Sequence, residues 1–562
     1  MNKNIVRKQN LLKKNLNLPN YDSFYTKFSW DKAKSEVDWF DDNKINAGYN
    51  ALDVPAKQIP NKTALIWFNE NNIRKTFTFL QLLETSNQFA NYLLECGVNK
   101  GDRVFFFLPK VPLLYCGFLA TIRLGAIAGT LFPAFNSQAL LERLANSEAK
   151  ILITNKELSS RIQNIKDKLP NLKTVLIVEE VEKEILKYSN KFTVCKTDGT
   201  DPCFMLYTSA TGNTPTSGVV IPHQAILQQK LTAKWVLDLK ENDIYWCTSD
   251  PGWVTGVVYG ILAPWSLGIT QIIFDGRFGK IWGEILEKER VTVFYTAPTA
   301  LRMLREAVNP KDYALSVRHV CTVGEALDTA TLLWVQEQFG TPAHDTWWQT
   351  ETGAMMVVNF PTNDIKPGSM GKPVPGIEAH IVGDKGQEIK IGKEGFLAFN
   401  PGWPSMMIKI WQNEKMYHSY FKNGWYISGD KAFKDKDGYF WFIGRADDVI
   451  KTAGERVGPF EVESCLMDHP AVAEAGVIGK PDKLRGQIIK AFVVLKKNYS
   501  PSNDLIDQLQ QFVKTHLAGH AYPREIEFIN KLPKNRSGKI VRRILKAKEL
   551  GLDLGNTSTL ED

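Results

Sequence analysis

Paired or clustered cysteines are missing from this sequence. Its 562 residues include seven cysteines, an odd number, and no two of them have the CxxC spacing. In a chain of this length, such usage argues against a disulfide scaffold and against a zinc cluster. Several of these cysteines lie in apolar, strand-like runs, where we expect buried free thiols. The seven cysteines are Cys96, Cys116, Cys195, Cys203, Cys247, Cys321 and Cys465.

Uninterrupted hydrophobic runs are also rare. The first twenty residues are polar and basic, without an apolar core or a small-residue cleavage site, which predicts no secretory signal. The longest candidate for a membrane span, residues 113–135, contains Arg123, Pro133 and several glycines. A span is the alternative, but a buried helix, a turn and a short strand fit the pattern better. We therefore expect a cytoplasmic protein with no membrane partner.

A strong imbalance of charge is absent as well. The apolar fraction is 44%, the charged fraction is 23% and the net charge is +8, which is ordinary for a globular protein. The mild excess of lysine and arginine suits a polyanionic ligand, although charge alone favours an ordinary solvated surface.

Short apolar runs alternate with longer amphipathic stretches from about residue 75 onward. Amphipathic stretches such as 78–96 and 140–148 predict helices, and strands alternating with helices predict parallel α/β sheets. The runs that predict strands are 103–109, 150–155, 174–180, 243–249, 270–276, 291–298 and 318–325.

The character of the chain changes twice after these repeats of strand and helix. Residues 360–445 are rich in glycine and proline, which predicts short strands joined by turns in a small barrel-like region. Beyond Arg445 a compact α+β pattern follows, including a helix over 503–517. This division predicts an N-terminal domain over residues 1–446 and a smaller C-terminal domain over 447–562.

Two loops carry residues suited to a nucleotide. The Ser/Thr/Gly-rich segment 207–220, YTSATGNTPTSGVV, follows an apolar run, and such a turn can surround phosphate oxygens with N–H and hydroxyl donors. It lacks the lysine of a Walker A loop, so a polar surface loop is the alternative. Residues 345–353, DTWWQTETG, offer two indole faces and a hard oxygen ligand, or else an aromatic core cluster beside a capped turn.

Two further segments carry charges of both signs. Asp430 in WYISGD precedes GRADDVIKTAGERVGPFEVE at 444–463, and an acidic residue there can hold ribose hydroxyls. The segment KNRSGK at 534–539 presents Lys539 from a glycine turn. Each has an ordinary alternative, a surface ion pair for the first and a basic solvated tail or weak nucleic-acid patch for the second.

Taken together and in this order, these segments closely resemble the adenylate-forming superfamily of acyl-CoA synthetases, luciferases and peptide-synthetase adenylation domains. Within it the chain is most similar to the bacterial AMP-forming acetyl-CoA synthetases, over about residues 20–555. The segments that carry this closer match are WCTSDPGWVTGVVYG (246–260), APTALRML (297–304), HDTWWQTETG (344–353), KPGSMGKPVPG (366–376) and RVGPFEVES (456–464).

The resemblance implies an α/β fold and an ATP-dependent reaction through an acyl-adenylate. The fold would be a large N-terminal domain of two parallel α/β sheets with a small β-barrel-like subdomain, followed by a small mobile α+β domain. The substrates would be a short carboxylic acid, ATP with Mg²⁺, and coenzyme A. A regulatory lysine acetyltransferase or deacetylase is a further implied partner, no nucleic-acid partner is implied, and the oligomeric state is open.

The resemblance also assigns nucleotide-binding roles to individual residues. The β- and γ-phosphates would contact Thr208, Ser209, Thr211, Gly212, Thr214 and Gly218, and the adenine would contact Gly324, Glu325, Ala326, Asp345, Thr346 and Trp347. Gln349 and Thr350 would face the α-phosphate, Asp430 the ribose hydroxyls, and Arg445 and Arg456 the ribose–phosphate region. Glu351 would bind Mg²⁺, and Lys539 would be the catalytic lysine of adenylation, assisted by Arg445.

Roles in the second half-reaction follow in the same way. Thr255, Ala453 and Gly454 would belong to the CoA tunnel, Lys514 would contact CoA, and Asp447 would be the hinge. Met467, His469 and Val472 would form a metal site from one imidazole and two backbone carbonyls, although a lone surface histidine is an equal alternative. Trp253, Val254, Thr255, Val323 and Trp348 would surround the acyl group. Their bulk predicts acetate or propionate, with branched acids such as isobutyrate and 2-methylbutyrate left open.

Two departures from the superfamily pattern bear on activity. The phosphate loop usually reads close to TSGSTGxPKGV, whereas residues 208–219 read TSATGNTPTSGV, with one extra residue, no early glycine and no lysine. Ala326 also replaces a common proline. A non-catalytic or low-activity nucleotide-binding relative is therefore the alternative function, while Glu351, Asp430, Arg445 and Lys539 favour an active enzyme. A peptide-synthetase module is disfavoured because the chain ends soon after Lys539.

Overall fold

The architecture is known from a computed structural model that describes residues 5–7, 15–71, 73–208, 217–452, 455–483, 485–535, 539–554, 557 and 560, with only the backbone of Arg456. Four sheets organise these residues, three of them before residue 446 and one after it. All seven cysteines are free, as their spacing predicts.

The largest sheet has nine strands and supplies most of the cleft. Its six central strands are parallel, and antiparallel strands close both edges. In spatial order the strands are Lys372–Pro373, Val357–Val358, Ala343–Trp347, His319–Val323, Val293–Thr296, Ile244–Cys247, Thr270–Asp275, Thr63–Asn69 and Arg74–Thr78.

The second sheet has seven strands, of which five are parallel and the first two are antiparallel. In spatial order they are Lys409–Ile410, Gly218–Pro222, Pro202–Tyr207, Ile127–Leu131, Arg103–Phe107, Ile151–Thr154 and Thr174–Ile177. Most of their residues are buried, because helices cover the faces of parallel sheets.

Helices and short helical turns connect these strands. The stretch 113–135 forms a buried helix, Pro112–Arg123, and then the strand Ile127–Leu131, as its pattern predicts. No helix among the described residues is long and apolar enough to cross a membrane. The helical segments before residue 446 are Tyr21–Lys27, Trp30–Ala33, Lys34–Glu36, Tyr49–Asp53, Val54–Gln58, Phe79–Glu95, Pro112–Arg123, Ser137–Ser147, Lys156–Gln163, Lys166–Lys168, Val178–Glu184, Ile185–Lys187, Ala225–Trp235, Val254–Val257, Val258–Leu262, Ala263–Ser266, Ile281–Lys288, Pro298–Ala307, Pro310–Asp312, Thr329–Phe339 and Glu414–Ser419.

A third sheet of five antiparallel strands lies beside the nine-stranded sheet and confirms the turn-rich reading of residues 360–445. Its longest strand, Trp425–Lys434, pairs with three others. The remaining strands are Ala379–Val382, Gly395–Phe399, Phe421–Lys422 and Phe440–Arg445.

The fourth sheet begins at Ile450 and, with its helices, forms an α+β unit with a hydrophobic core of its own. The predicted boundary at residues 446–447 lies between the last strand of the third sheet and this first strand. The strands are Glu455–Val457, Ile450–Thr452, Gly486–Leu495, Val472–Asp482 and Glu525–Phe528, and the helices are Pro459–Met467, Asn503–His516 and Arg542–Leu550.

Candidate active site

A cleft of about 2110 Å³ opens where the carboxyl ends of the parallel strands meet residues of the C-terminal unit. Open α/β sheets bind ligands at this edge because loops, rather than backbone hydrogen bonds, occupy it. A smaller cavity of about 170 Å³ continues from the cleft between the strand Ala343–Trp347 and the helix Pro459–Met467. The two cavities share Gly324, Glu325, Trp348, Gln349, Arg445 and Lys539 among their linings.

The segment 347–351 is held residue by residue against the third sheet. Trp347 donates its indole N–H to Asp430 Oδ2 over 2.9 Å. Gln349 donates to the Ser428 carbonyl over 2.9 Å and accepts from the Tyr426 hydroxyl over 3.0 Å. The strand ends at Trp347 and a turn follows from Thr350, and Trp348, Gln349, Thr350 and Glu351 all line the cleft.

Asp430 and Arg445 form the central charge pair of the site. Arg445 Nη1 lies 2.9 Å from Asp430 Oδ1 and also donates to the Ser428 carbonyl. Burial raises the pKa of the Asp430 carboxyl, and the Arg445 and Lys539 cations partly oppose that shift. The same carboxylate raises the pKa of Arg445 against the effect of burial.

Lys539 projects into the cleft from the C-terminal unit. Its side chain keeps surface open to the cleft, but surrounding protein lowers its pKa, against the attraction of Asp430. Its backbone N–H donates to Asn535 Oδ1 over 2.9 Å, which ties the last residue of the KNRSGK motif to the second. The lysine predicted to catalyse adenylation is thus brought to Asp430 and Arg445.

Glu351 is buried beside the same group. Tyr420 donates its hydroxyl to Glu351 Oε1 over 2.8 Å. Burial raises the pKa of the Glu351 carboxyl, while the Tyr420 hydroxyl and Arg445 act against that shift. A buried carboxylate that lines the cleft is a suitable oxygen ligand for Mg²⁺, so Glu351 fits the ion.

The small cavity collects the residues predicted to contact adenine. Gly324 has φ +96°, a conformation that favours glycine, and it is followed by Glu325 and Ala326. Arg302 contacts Glu325 Oε1 at 3.1 Å and Asp328 Oδ2 at 3.0 Å, which anchors this turn. Asp345, Thr346 and Trp347 form the facing wall.

Burial raises the pKa of Asp345 to about 7, although Thr322 donates a hydroxyl hydrogen bond to its Oδ1 over 2.9 Å. Thr346 is fixed by a 2.8 Å hydrogen bond with the Tyr295 hydroxyl and by donation to the Thr322 carbonyl. The wall is therefore rigid and carries a carboxyl group that is partly protonated near neutral pH.

The residues of the predicted acid pocket all line the main cleft. They are Trp253, Val254, Thr255, Val323 and Trp348. The Trp348 ring meets Tyr259 edge to face at 5.1 Å, and Tyr259 is itself buried and hydrogen-bonded to Thr232. Trp348 therefore packs against a buried, hydrogen-bonded side chain.

The remaining predicted residues lie partly inside and partly outside the described part of the chain. Thr208 lines the cleft, and Gly218 begins a strand where a β-carbon would come within 2.5 Å of Met205 Sδ. Asp447 is exposed, with its carboxylate 3.7 Å from Arg445 Nε. The residues that lie outside the described ranges are Ser209, Thr211, Gly212, Thr214, Ala453, Gly454 and the side chain of Arg456.

The predicted CoA contact and second metal site remain predictions. Lys514 lies over the Tyr522 ring, 4.2 Å from its centroid, and the linings of the two cavities, as far as the structure describes them, do not include it. His469 Nδ1 accepts the Ala471 N–H, which leaves Nε2 as the nitrogen suited to a metal. Burial lowers the pKa of the ring. Met467 lines the small cavity and Val472 begins a buried strand.

Sequence reasoning missed some residues that shape the site. Arg542 forms a buried ion pair with Glu463 at 2.5 Å and lines both cavities. It stands in KIVRRILK, directly after the KNRSGK motif, where the pattern indicated only a basic tail. Tyr420 and Arg302 carry no local signal, because their partners Glu351 and Glu325 are distant in sequence.

Comparison with known proteins agrees with this geometry. Residues 52–403 match the AMP-binding enzyme family, and residues 461–539 match the AMP-binding enzyme C-terminal domain. The chain is 50% identical to the acetyl-coenzyme A synthetase of Bacillus subtilis (strain 168) over 97% of its own length and 98% of that protein. It is 38% identical to the acetyl-coenzyme A synthetase of Methanothrix thermoacetophila over 93% of this chain and 86% of that one.

Solved structures show the same architecture. A Brucella canis acyl-CoA synthetase superposes with a TM-score of 0.74 at 32% identity, covering 95% of this chain and 99% of that one. An anthranilate CoA ligase in complex with anthranoyl-AMP superposes with a TM-score of 0.83 at 30% identity, covering 90% of this chain and 97% of that one.

Proposed function

This chain belongs to the AMP-binding enzyme family, and from that premise we propose that it joins acetate, with propionate next in preference, to coenzyme A through an acyl-adenylate. It is an AMP-forming acid–CoA ligase that uses ATP, Mg²⁺ and CoA. The observation that carries the proposal is the convergence of Lys539, Arg445 and Glu351 on one cleft that Trp348 also lines.

Adenylation brings a carboxylate to the α-phosphate of ATP, and the two anions repel each other. Arg445 is permanently cationic, and Lys539 adds a second positive charge, so together they offset this repulsion and the charge that develops during transfer. Mg²⁺, when bound, neutralises the departing pyrophosphate. Glu351 would hold the Mg²⁺ ion. Gln349 and Thr350 orient the α-phosphate, and Asp430 binds the ribose hydroxyls.

The small cavity holds the adenine in this proposal. The Gly324–Ala326 turn, fixed by Arg302, forms one side, and Asp345, Thr346 and Trp347 form the other. Lys539 and the helix Pro459–Met467 belong to the C-terminal unit, so ATP bound here contacts both units at once.

The second half-reaction requires the pantetheine arm where pyrophosphate has left. A C-terminal domain over residues 447–562 that turns about Asp447 withdraws Lys539 and presents the face around Ala453 and Gly454. Thr255 lines the main cleft, and Arg456 and Lys514 act from the moving domain. Acetylation of Lys539 by a regulatory enzyme would remove its charge and stop adenylation. A cytoplasmic location also stays a prediction.

The acid is proposed to be short because two valines, a threonine and an indole enclose its pocket. Each methylene that fits contributes about 1 kcal/mol, so preference between neighbouring acids is modest, whereas contact with the indole excludes long chains. Branched acids of four or five carbons, such as isobutyrate and 2-methylbutyrate, come after acetate and propionate.

The direct test is pyrophosphate release with a panel of straight and branched acids from acetate to octanoate, with and without CoA. We expect ATP-dependent turnover that is highest with acetate or propionate, needs CoA for continued cycling and is negligible with octanoate. Turnover that is highest with octanoate contradicts the short-acid assignment. Absence of turnover with every acid contradicts the assignment as an enzyme. It favours the alternative of a non-catalytic, nucleotide-binding relative.

A further inference from the structure

Glu351 is the one acidic side chain of the segment 347–351, and a tyrosine from outside that segment contacts its carboxylate. The hydroxyl of Tyr420 lies 2.8 Å from Glu351 Oε1. Tyr420 is 69 residues further along the chain and directly follows the short helix Glu414–Ser419. Both residues line the main cleft.

Tyr420 is itself held in place on two sides. Its ring stacks on Tyr426, with 5.8 Å between centroids and 7° between ring planes. Its carbonyl accepts the Ile427 N–H over 2.7 Å. Tyr426 in turn donates to Gln349, so the two stacked rings contact alternate residues of the same segment. The hydroxyl of Tyr420 is therefore already held in position. Ordering this side chain costs no conformational entropy when a ligand binds.

The hydrogen bond runs from the Tyr420 hydroxyl, which donates, to the Glu351 carboxylate, which accepts. A hydrogen bond to a charged acceptor is stronger than one between neutral groups, so this contact constrains where the carboxylate oxygen lies.

We propose that Tyr420 is a positioning residue for the Glu351 carboxylate, holding one oxygen so that the charged group is oriented toward Mg²⁺ on the phosphates of ATP. This inference rests on the proposed function of Glu351. Tyr420 contacts neither ATP nor the acid in this role and acts through Glu351 alone.

Tyr420→Phe removes the hydroxyl and keeps the ring that stacks on Tyr426. We expect the Mg²⁺ concentration that supports half-maximal adenylation to rise about tenfold, the size expected for one hydrogen bond to a charged group. The KM for the acid should not change, because the lost hydroxyl bonds to Glu351 rather than to a residue of the predicted acid pocket.

The matched control is Tyr417→Phe, which removes a hydroxyl from the short helix that precedes Tyr420, at a residue outside the lining of the cleft. It should leave the Mg²⁺ dependence unchanged. A second measurement avoids turnover, using calorimetric titration of a non-hydrolysable ATP analogue at several Mg²⁺ concentrations. In the wild-type background, Tyr420→Phe should raise the Mg²⁺ concentration that is needed for tight binding of the analogue. In Glu351→Gln it should have no further effect.

The outcomes separate this inference from the proposed function. If the wild-type protein turns over acetate and Tyr420→Phe changes only the melting temperature, the positioning role is overturned and the proposed function stands. An equal effect of Tyr420→Phe with and without Glu351 also overturns it. If no acid is turned over, the proposed function fails, and the calorimetric titration alone decides whether Tyr420 acts on Glu351.

Discussion

At the scale of single residues, Trp348 carries the assignment of the acid. Its indole packs edge to face on the buried Tyr259 ring, a contact that favours the position in which it restricts the pocket. We expect Trp348→Gly to move the optimum from acetate toward acids of six to eight carbons and to weaken the use of acetate, because the indole no longer closes the pocket. The measurement is kcat/KM across the straight-chain panel.

Trp348→Phe is the control for this prediction, since it keeps an aromatic ring in the same position and should keep the preference for short acids. Thermal melting of both variants checks that the pocket has not collapsed. An unchanged chain-length profile in a folded Trp348→Gly enzyme would show that another residue closes the pocket.

Sequence patterns pointed to the residues proposed to carry the chemistry, but not to the residues that hold them in place. Glu351, Asp430, Arg445 and Lys539 stand in recognisable motifs, and the structure brings them together. Tyr420 could not be found in this way, because a hydrogen bond across 69 residues depends on tertiary packing and leaves no periodic signal. The same holds for Arg302 and for the buried pair of Glu463 with Arg542.

At the scale of elements, the phosphate loop is the feature in which this chain departs most from its family. If residues 208–218 bind phosphates through N–H groups and hydroxyls, the missing lysine should mainly raise the KM for ATP. Replacing TSATGNTPTSGV at 208–219 with TSGSTGTPKGV should then lower that KM, with a smaller change in kcat. Initial rates at varied ATP and saturating acetate measure both constants.

Thr216→Lys separates charge from loop length, because it adds the cation and keeps the extra residue. A lower KM in the full replacement alone would assign the effect to loop geometry, and a lower KM in both variants would assign it to charge. A KM for ATP that neither variant lowers would contradict the role given to the loop.

Strands and helices were predictable where their periodicity was strong. The predicted helix over 78–96 is observed as Phe79–Glu95 and begins with a capping box at Thr78 and Gln81. The predicted strand over 174–180 was too long, because the structure ends it at Ile177 and starts a helix at Val178. Val178, Val181 and Ile185 recur at helical spacing and are buried, so the acidic residues between them face outward.

At the scale of the whole molecule, the sequence predicted the number and class of the structural units but not how they meet. Parallel strands follow from alternating apolar runs, and the change to turn-rich and then α+β patterns marks the later units. Contacts such as Lys539 beside Asp430, across the predicted boundary at 446–447, join segments whose local patterns are independent. Only the assembled fold shows that one cleft includes residues of both units.

The central claim is that the C-terminal unit completes the adenylation site by placing Lys539 beside Asp430 and Arg445, and withdraws it for thioester formation. The most direct measurement compares the two half-reactions in Lys539→Ala, using acetate-dependent pyrophosphate release for the first and CoA transfer from supplied acetyl-adenylate for the second. We predict a loss of about a hundredfold or more in adenylation, the size of removing one charged group from a preorganised site, with the transfer step close to wild type. Equal loss of both half-reactions, or adenylation that survives without Lys539, would contradict the account.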